Sequence, residues 1–321
     1  MRIGKMSTLL AGLLLTATMA QAELTAEFHG IKGNADKASK AFIKKVGEVG
    51  FTAAGNDNIQ VHYYNRYKEK NLDLLSFFTV TNLDVMRGLL LQNPDFGAYA
   101  PYDMLFYKLL DSQEKVTWFG HLDADLMLNI IGEKDPASRK TFKDMVASLD
   151  TFAMKELKPT ETKKLEYTGK LPAKPLTKMV MKLPDDIKDL EEWIEEFIET
   201  HDGAFVKHEF IIAGFLDFKL EYDDAEVDFD KYDAYWVSSL CHFKFSNSVF
   251  NHGEPQAGIF APCSVYFYIP KGSKELHVGY GSVENWLATT GIKDEKMKKD
   301  MLAIDAEVVK TFEELGFKRE N

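Results

Sequence analysis

Gly97-Ala-Tyr-Ala-Pro-Tyr-Asp-Met-Leu-Phe-Tyr107 and Gly258-Ile-Phe-Ala-Pro-Cys-Ser-Val-Tyr-Phe-Tyr268 are two versions of one stretch. The leading glycine, the Ala-Pro step and the closing Phe-Tyr coincide. Each version reads as a buried strand entered through a proline corner. Successive strand residues face opposite ways, so Cys263, Val265 and Phe267 point to one side and Ser264, Tyr266 and Tyr268 to the other. The first version divides likewise into Tyr102, Met104 and Phe106 against Asp103, Leu105 and Tyr107. Both sides are largely apolar or aromatic, which predicts that both are covered.

The same order of elements surrounds each version. In the first half the pattern predicts a strand at 24–31, a helix from Asp36, strands at Ile59–Tyr67 and Leu72–Val80, and a short helix capped by Asn82. The quoted strand follows, then a turn at Asp111–Glu114, a strand at Lys115–Leu122 and a long helix over Pro136–Leu157. In the second half the series is a strand at Thr177–Leu183, a helix over Pro184–Thr200, strand material in Ala204–Tyr222 and a strand at Ala234–Phe245. A short helix at Asn247–His252, the quoted strand, a strand at Lys274–Tyr280 and a helix over Asp294–Leu315 complete it. This predicts an α+β fold of two similar repeats, each a mostly antiparallel sheet with helices on one face. The bare faces then pack together as a pseudo-twofold internal dimer within a monomer. The divisions are a signal peptide at 1–22, a first repeat at 23–157, a linker at 158–175 carrying Pro159, Gly169, Pro172 and Pro175, and a second repeat at 176–321.

The second half carries Cys241-His-Phe243 and Ala261-Pro-Cys-Ser264; the first keeps Ala100-Pro101 but has Val80 and Tyr102 where the cysteines would stand. Over 72–157 and 234–317 this resembles the bacterial family called domain of unknown function 302. That family shows a Cys-Asn-Pro and, further on, a Leu-Pro-Cys-Asn leading into an apolar strand. The Asn-Pro after the first cysteine is absent here. The resemblance implies a small α+β unit that is often dimeric, and it brings no activity with it.

Arg2 and Lys5 precede an apolar run at Leu9–Ala17 and a small-residue Ala20-Gln21-Ala22, the pattern of a leader cleaved after Ala22. The expectation is a soluble periplasmic protein, with no stretch long and apolar enough to span a membrane. Losing the leader's two basic residues moves the formal charge from −11 to −13. That balance disfavours nucleic acid and anionic membrane surfaces, which attract basic patches.

No nucleophile elbow, Ser/His/Asp order or glycine-rich phosphate loop is present, so no catalytic residue and no cofactor are assigned. Asp103 and Ser264 are equivalent by the repeat. With Tyr107, Tyr268, Trp236 and His242 they form a candidate polar seam between the halves, where a small molecule or an envelope protein would bind. Cys241 and Cys263 sit on consecutive strands with both thiols expected in an apolar layer. They read as a disulfide worth about 3 kcal/mol, as inert thiols, or as a redox pair in a thiol-dependent enzyme or accessory protein. A metal site of the two cysteines with His277 matches no standard zinc spacing, and none is assigned. His121-Leu-Asp123-Ala-Asp125 resembles an acid–base or metal cluster, but the repeat aligns Asp123 with Ser282, and both read as helix N-caps. The acidic run Glu221–Asp233 lacks the glycine and terminal glutamate of a calcium loop and reads as a solvated loop.

Overall fold

The computed structural model of the chain describes residues 22–55, 58–110 and 115–320. The expected leader, up to residue 21, and the turn at Asp111–Glu114 lie outside the described residues. The first half runs β1 (Glu23–Lys32), α1 (Asp36–Ile43), β2 (Thr52–Gly55), α2 (Ile59–Tyr67), β3 (Leu72–Thr81), α3 (Leu83–Gln92), a 3₁₀ helix (Pro94–Tyr99), β4 (Tyr102–Leu109), β5 (Val116–Gly120), α4 (Ala124–Ile130), α5 (Pro136–Leu157) and β6 (Glu161–Tyr167). The second runs β7 (Leu176–Lys182), α6 (Leu190–Lys207), β8 (Phe210–Asp217), α7 (Phe218–Asp224), β9 (Tyr232–His242), α8 (Phe243–Phe250), a 3₁₀ helix (Pro255–Phe260), β10 (Cys263–Pro270), β11 (Glu275–Gly281), α9 (Glu284–Thr289), α10 (Glu295–Glu314) and β12 (Lys318–Arg319).

The two sheets have the orders β2-β3-β4-β5-β1-β6 and β8-β9-β10-β11-β7-β12. Counted from the start of its own half, the second order is the first. Neighbouring strands are antiparallel throughout. The quoted strands β4 and β10 sit inside the sheets, and the Ala100-Pro101 and Ala261-Pro262 bonds that lead into them are both cis.

The halves meet through their bare sheet faces, and one core runs across the junction. The contact is reciprocal. The 3₁₀ helix at Pro94–Tyr99 lies on β10, and the one at Pro255–Phe260 lies on β4. A Cβ on Gly97 would fall 2.1 Å from the Tyr235 hydroxyl oxygen and 2.5 Å from Tyr266 Cβ. One on Gly258 would fall 2.9 Å from Phe77 Cε1 and 3.1 Å from a Leu105 methyl. The glycine that opens each repeat of the motif is therefore where one half's backbone approaches the other half's side chains. The outer face of the second sheet holds a separate core of Phe197, Phe205, Trp236, Phe267 and Phe312 under α6 and α10.

Several expected elements differ. Ile59–Tyr67 is a helix, not a strand. Its β-branched and aromatic residues favour a strand locally, but Asn58 caps it by accepting from Gln60 N at 3.1 Å, and helical spacing buries Gln60 and Tyr63 together. The strand expected to continue to Phe245 ends at His242, whose Nδ1 accepts from Phe245 N at 3.1 Å and starts α8. In Ala204–Tyr222 only β8 is strand; α6 extends into it from one side and α7 begins at Phe218. The stretch 158–175 is not all linker: β6 lies within it and pairs with β1, closing the first sheet.

Candidate functional site

Asp103 and Ser264 do come together. They line a chamber of about 30 Å³ at the junction of the halves, with Tyr99, Cys263, Ser282 and Asn285. That is room for about two waters. Ser264 Oγ donates to Pro101 O of the other half at 3.1 Å. Asp103 is buried and its Oδ1 has no hydrogen-bond partner among the described residues. Burial pushes its carboxyl well above the usual range. Asn285 is also buried; its Nδ2 donates to Pro175 O at 2.7 Å and Ser282 O at 2.9 Å, while its Oδ1 is unpartnered among the described residues. Because both neighbours of the nitrogen are carbonyls, the amide orientation is fixed and its carbonyl is the idle end.

A second chamber, of about 40 Å³, shares Cys263, Gly281 and Trp286 with the first and so adjoins it. Its walls are mostly apolar, with Phe245, Phe250, Val283 and Val308 prominent. On the other side an open cleft of about 800 Å³, walled by residues 173–178, the end of α4 and Arg319, shares Ser282 with the polar chamber.

The remaining expected seam residues lie elsewhere. Trp236 is on the opposite face of its sheet, stacked on Phe267 with ring centroids 4.9 Å apart. Tyr107 packs edge-on against Phe28, with the Lys163 ammonium 5.3 Å from its centroid. Tyr268 stacks on His277 at 4.8 Å. His242 lines the apolar chamber as the cap of α8. The aromatic part of the seam is packed, and three tyrosines beside it are hydrogen-bonded within the protein. Tyr232, Tyr235 and Tyr222 donate to Leu90 O, Pro94 O and Leu83 O at 2.6, 2.6 and 2.8 Å.

Cys241 and Cys263 are not bridged; both are free thiols. The register explains this: Cys263 faces Leu240 across the ladder, and Cys241, one residue on, has the opposite parity. Both line the apolar chamber. Burial pushes the Cys241 thiol up to about 11 and the Cys263 thiol further. Neither offers a thiolate at neutral pH. His277 bonds Glu320 at 2.8 Å and does not join them.

The cluster around His121 disperses. Asp123 caps α4, accepting from Asp125 N at 3.0 Å and Leu126 N at 3.1 Å, and Ser282 accepts from Glu284 N at 3.1 Å at the equivalent place. Asp125 pairs with Arg139 at 2.8 Å. His121 has both ring nitrogens committed, Nδ1 to Leu122 O at 2.6 Å and Nε2 to Asp150 at 2.7 Å. Burial opposes its charge, but the Asp150 carboxylate and these bonds lift its pKa to about 9. A raised histidine stabilises the fold fully below its unfolded value of 6.5 and loses that contribution as pH climbs through about 9. With Asp150 half-exposed, the loss expected between pH 6 and 10 is on the order of 2 kcal/mol. Urea titrations across that range measure it, and His121→Gln should flatten the slope. Among the described residues no group of three His, Cys, Asp or Glu side chains is placed to hold a metal ion, and no helix is long and apolar enough to cross a membrane.

Asn285, Tyr99 and Trp286 were not signalled as site residues. One cue was available: Asn285 is a lone amide between the cap Ser282 and the apolar Trp286-Leu287.

Fold and site together define an α+β protein of two like halves with a carboxyl buried at their junction, one of its oxygens unpartnered among the described residues. No family model matches the chain, and no curated protein matches it. Among solved structures it is similar to an uncharacterized conserved protein of the domain of unknown function 302 family from Bacillus stearothermophilus, with 13% identity and a TM-score of 0.35 over 40% of this chain and 96% of that one.

Proposed function

We propose that the protein is an exported, non-catalytic binding module, two repeats of the domain of unknown function 302 type closed upon each other, holding a small ligand in the chamber between them. The observation that carries this reading is the Asp103 oxygen left without a partner at the junction. An unsatisfied buried acceptor costs stability, and this one stands where the two halves meet beside a chamber. Export rests on the basic start, apolar run and Ala20-Gln-Ala22. A thiol-dependent redox role finds no support in two half-buried, unbridged thiols whose pKa values are raised.

Burial favours the neutral form of Asp103. An acid with a raised folded pKa is most stabilising at low pH and costs stability once pH passes the unfolded value of 3.8. Asp103→Asn should therefore raise the melting temperature at pH 8, on the order of 2 °C, with the gain shrinking toward pH 4. A thermal-shift screen of small metabolites against the mature chain tests the function. At least one compound should stabilise the wild type and lose its effect in Asp103→Asn. A panel with no stabiliser, or stabilisers indifferent to that change, removes the reading.

A further inference from the structure

We propose that β8 is a docking edge, onto which an extended apolar segment of another protein, with basic residues at its ends, adds as a further strand.

The two sheets present four edges, and three of them are defended. β2 has four residues and β12 has two. β6 is longer but carries Glu161, Lys163, Lys164 and Glu166. Short or charged edges of this kind resist pairing with other chains. β8 spans eight residues, Phe210–Asp217, with no charged residue and no proline from Phe210 to Leu216. It pairs with β9 on one side and ends its sheet on the other. A bulge interrupts that ladder between Ile212 and Gly214, so the regular run offered to a newcomer is Gly214–Asp217.

Apolar surface gathers around this edge. Five of the ten large apolar side chains exposed among the described residues, Val206, Ile211, Phe215, Leu220 and Val227, fall in the stretch 206–227. Beside Gly214–Leu216 lies a groove of about 220 Å³, walled on its far side by β2 with Thr79, Thr81 and Leu83. Thr81 is buried, and its Oγ1 has no hydrogen-bond partner among the described residues. A strand laid along Gly214–Asp217 would pair with the open backbone groups of β8 and send alternate side chains into this groove. The groove shares no wall residue with the two chambers at the junction, so this surface is tested separately from the binding reading above.

Charge selects the occupant. The stretch 206–227 holds Glu209, Asp217, Glu221, Asp223, Asp224 and Glu226 against Lys207 and Lys219. Lys219 is paired with Asp223, and Arg66 reaches Glu209 at 3.8 Å. Glu221 stands in the groove wall. A second copy pairing through β8 in antiparallel fashion would set the acidic end beyond Asp217 against the other copy's Glu209, acid on acid. A strand with basic ends meets opposite charge at both.

The test uses a fluorescent, capped Lys-Val-Thr-Val-Thr-Val-Lys peptide, titrated with the mature chain and followed by anisotropy. Binding should be saturable. N-methylation of alternate amides should abolish it in one register and spare it in the other, as pairing along a single edge requires. Glutamates in place of the two lysines should weaken it about tenfold. Phe215→Lys, an exposed change expected to leave the melting temperature in place, should also weaken it about tenfold or more. No saturable binding, the same response in both methylated registers, or indifference to the glutamates or to Phe215→Lys each overturns the proposal. A dimer in sedimentation that Phe215→Lys abolishes would assign the edge to a second copy, and overturns it as well.

Discussion

Gly97→Ala should be among the most damaging single-methyl additions in the protein. The new Cβ would lie 2.1 Å from the Tyr235 hydroxyl and 2.5 Å from Tyr266 Cβ. Neither neighbour is a loose side-chain end. Tyr235 is fully buried and donates to Pro94 O at 2.6 Å, and the Tyr266 Cβ moves only with the backbone of β10. Relief requires the 3₁₀ helix and the opposing sheet to part, which exposes apolar surface along the whole junction. Overpacking in a tight core costs about 1–3 kcal/mol. The upper end, about 3 kcal/mol or more, is expected here because the clash engages backbone. Gly258→Ala meets Phe77 Cε1 at 2.9 Å and a Leu105 methyl at 3.1 Å, both ends of side chains that can shift, and should cost about 1 kcal/mol. Urea unfolding of the two variants measures the difference. Equal losses, or a Gly97→Ala protein as stable as the wild type, would refute the reciprocal-contact account.

The repeat made the architecture legible because it states the same packing problem twice. Both quoted strands are apolar on both sides, so each sheet needed helices on one face and a partner on the other. The duplication supplied that partner. Alternation also placed Asp103 and Ser264 on one face, and both face the junction. It misplaced Trp236, because its side was inferred without knowing which face of β9 the helices cover; α6 and α10 lie over Trp236 and Phe267. The disulfide expectation failed on a one-residue register, which spacing along the chain does not encode. The helix at Ile59–Tyr67 is set by the Asn58 side chain, which accepts from Gln60 N and from Leu75 N at 2.9 Å, a bond to β3 that local propensity does not reveal. Asn285 stayed hidden because its importance lies in what its Oδ1 lacks, and a missing partner has no sequence signature.

Asp95→Ala should be the second severe change, and it would act through charge instead of volume. Asp95 stands in the first half's 3₁₀ helix and receives two groups from the second half. The Tyr266 hydroxyl donates to Oδ1 at 2.6 Å, and Lys178 Nζ lies 2.9 Å from the same oxygen and 3.0 Å from Oδ2. Tyr266 is fully buried, whereas the Lys178 side chain is one-third exposed. Removing the carboxylate therefore strands a buried hydroxyl outright, while the lysine recovers part of its loss from water. The expected cost is about 2–4 kcal/mol. Asp95→Asn keeps an acceptor for Tyr266 and should lose only about half of that. Lys178→Met leaves the carboxylate the hydroxyl bond and partial solvation, and should cost about 1 kcal/mol or less. Denaturant titrations of the three variants, with the Asp95→Ala/Tyr266→Phe double mutant, separate the contributions. Tyr266→Phe removes the stranded hydroxyl, so the double mutant should be less destabilised than the sum of the singles. Strict additivity would mean that Asp95 and Tyr266 do not act as one contact. The carboxylate would then be holding the halves together through Lys178 alone.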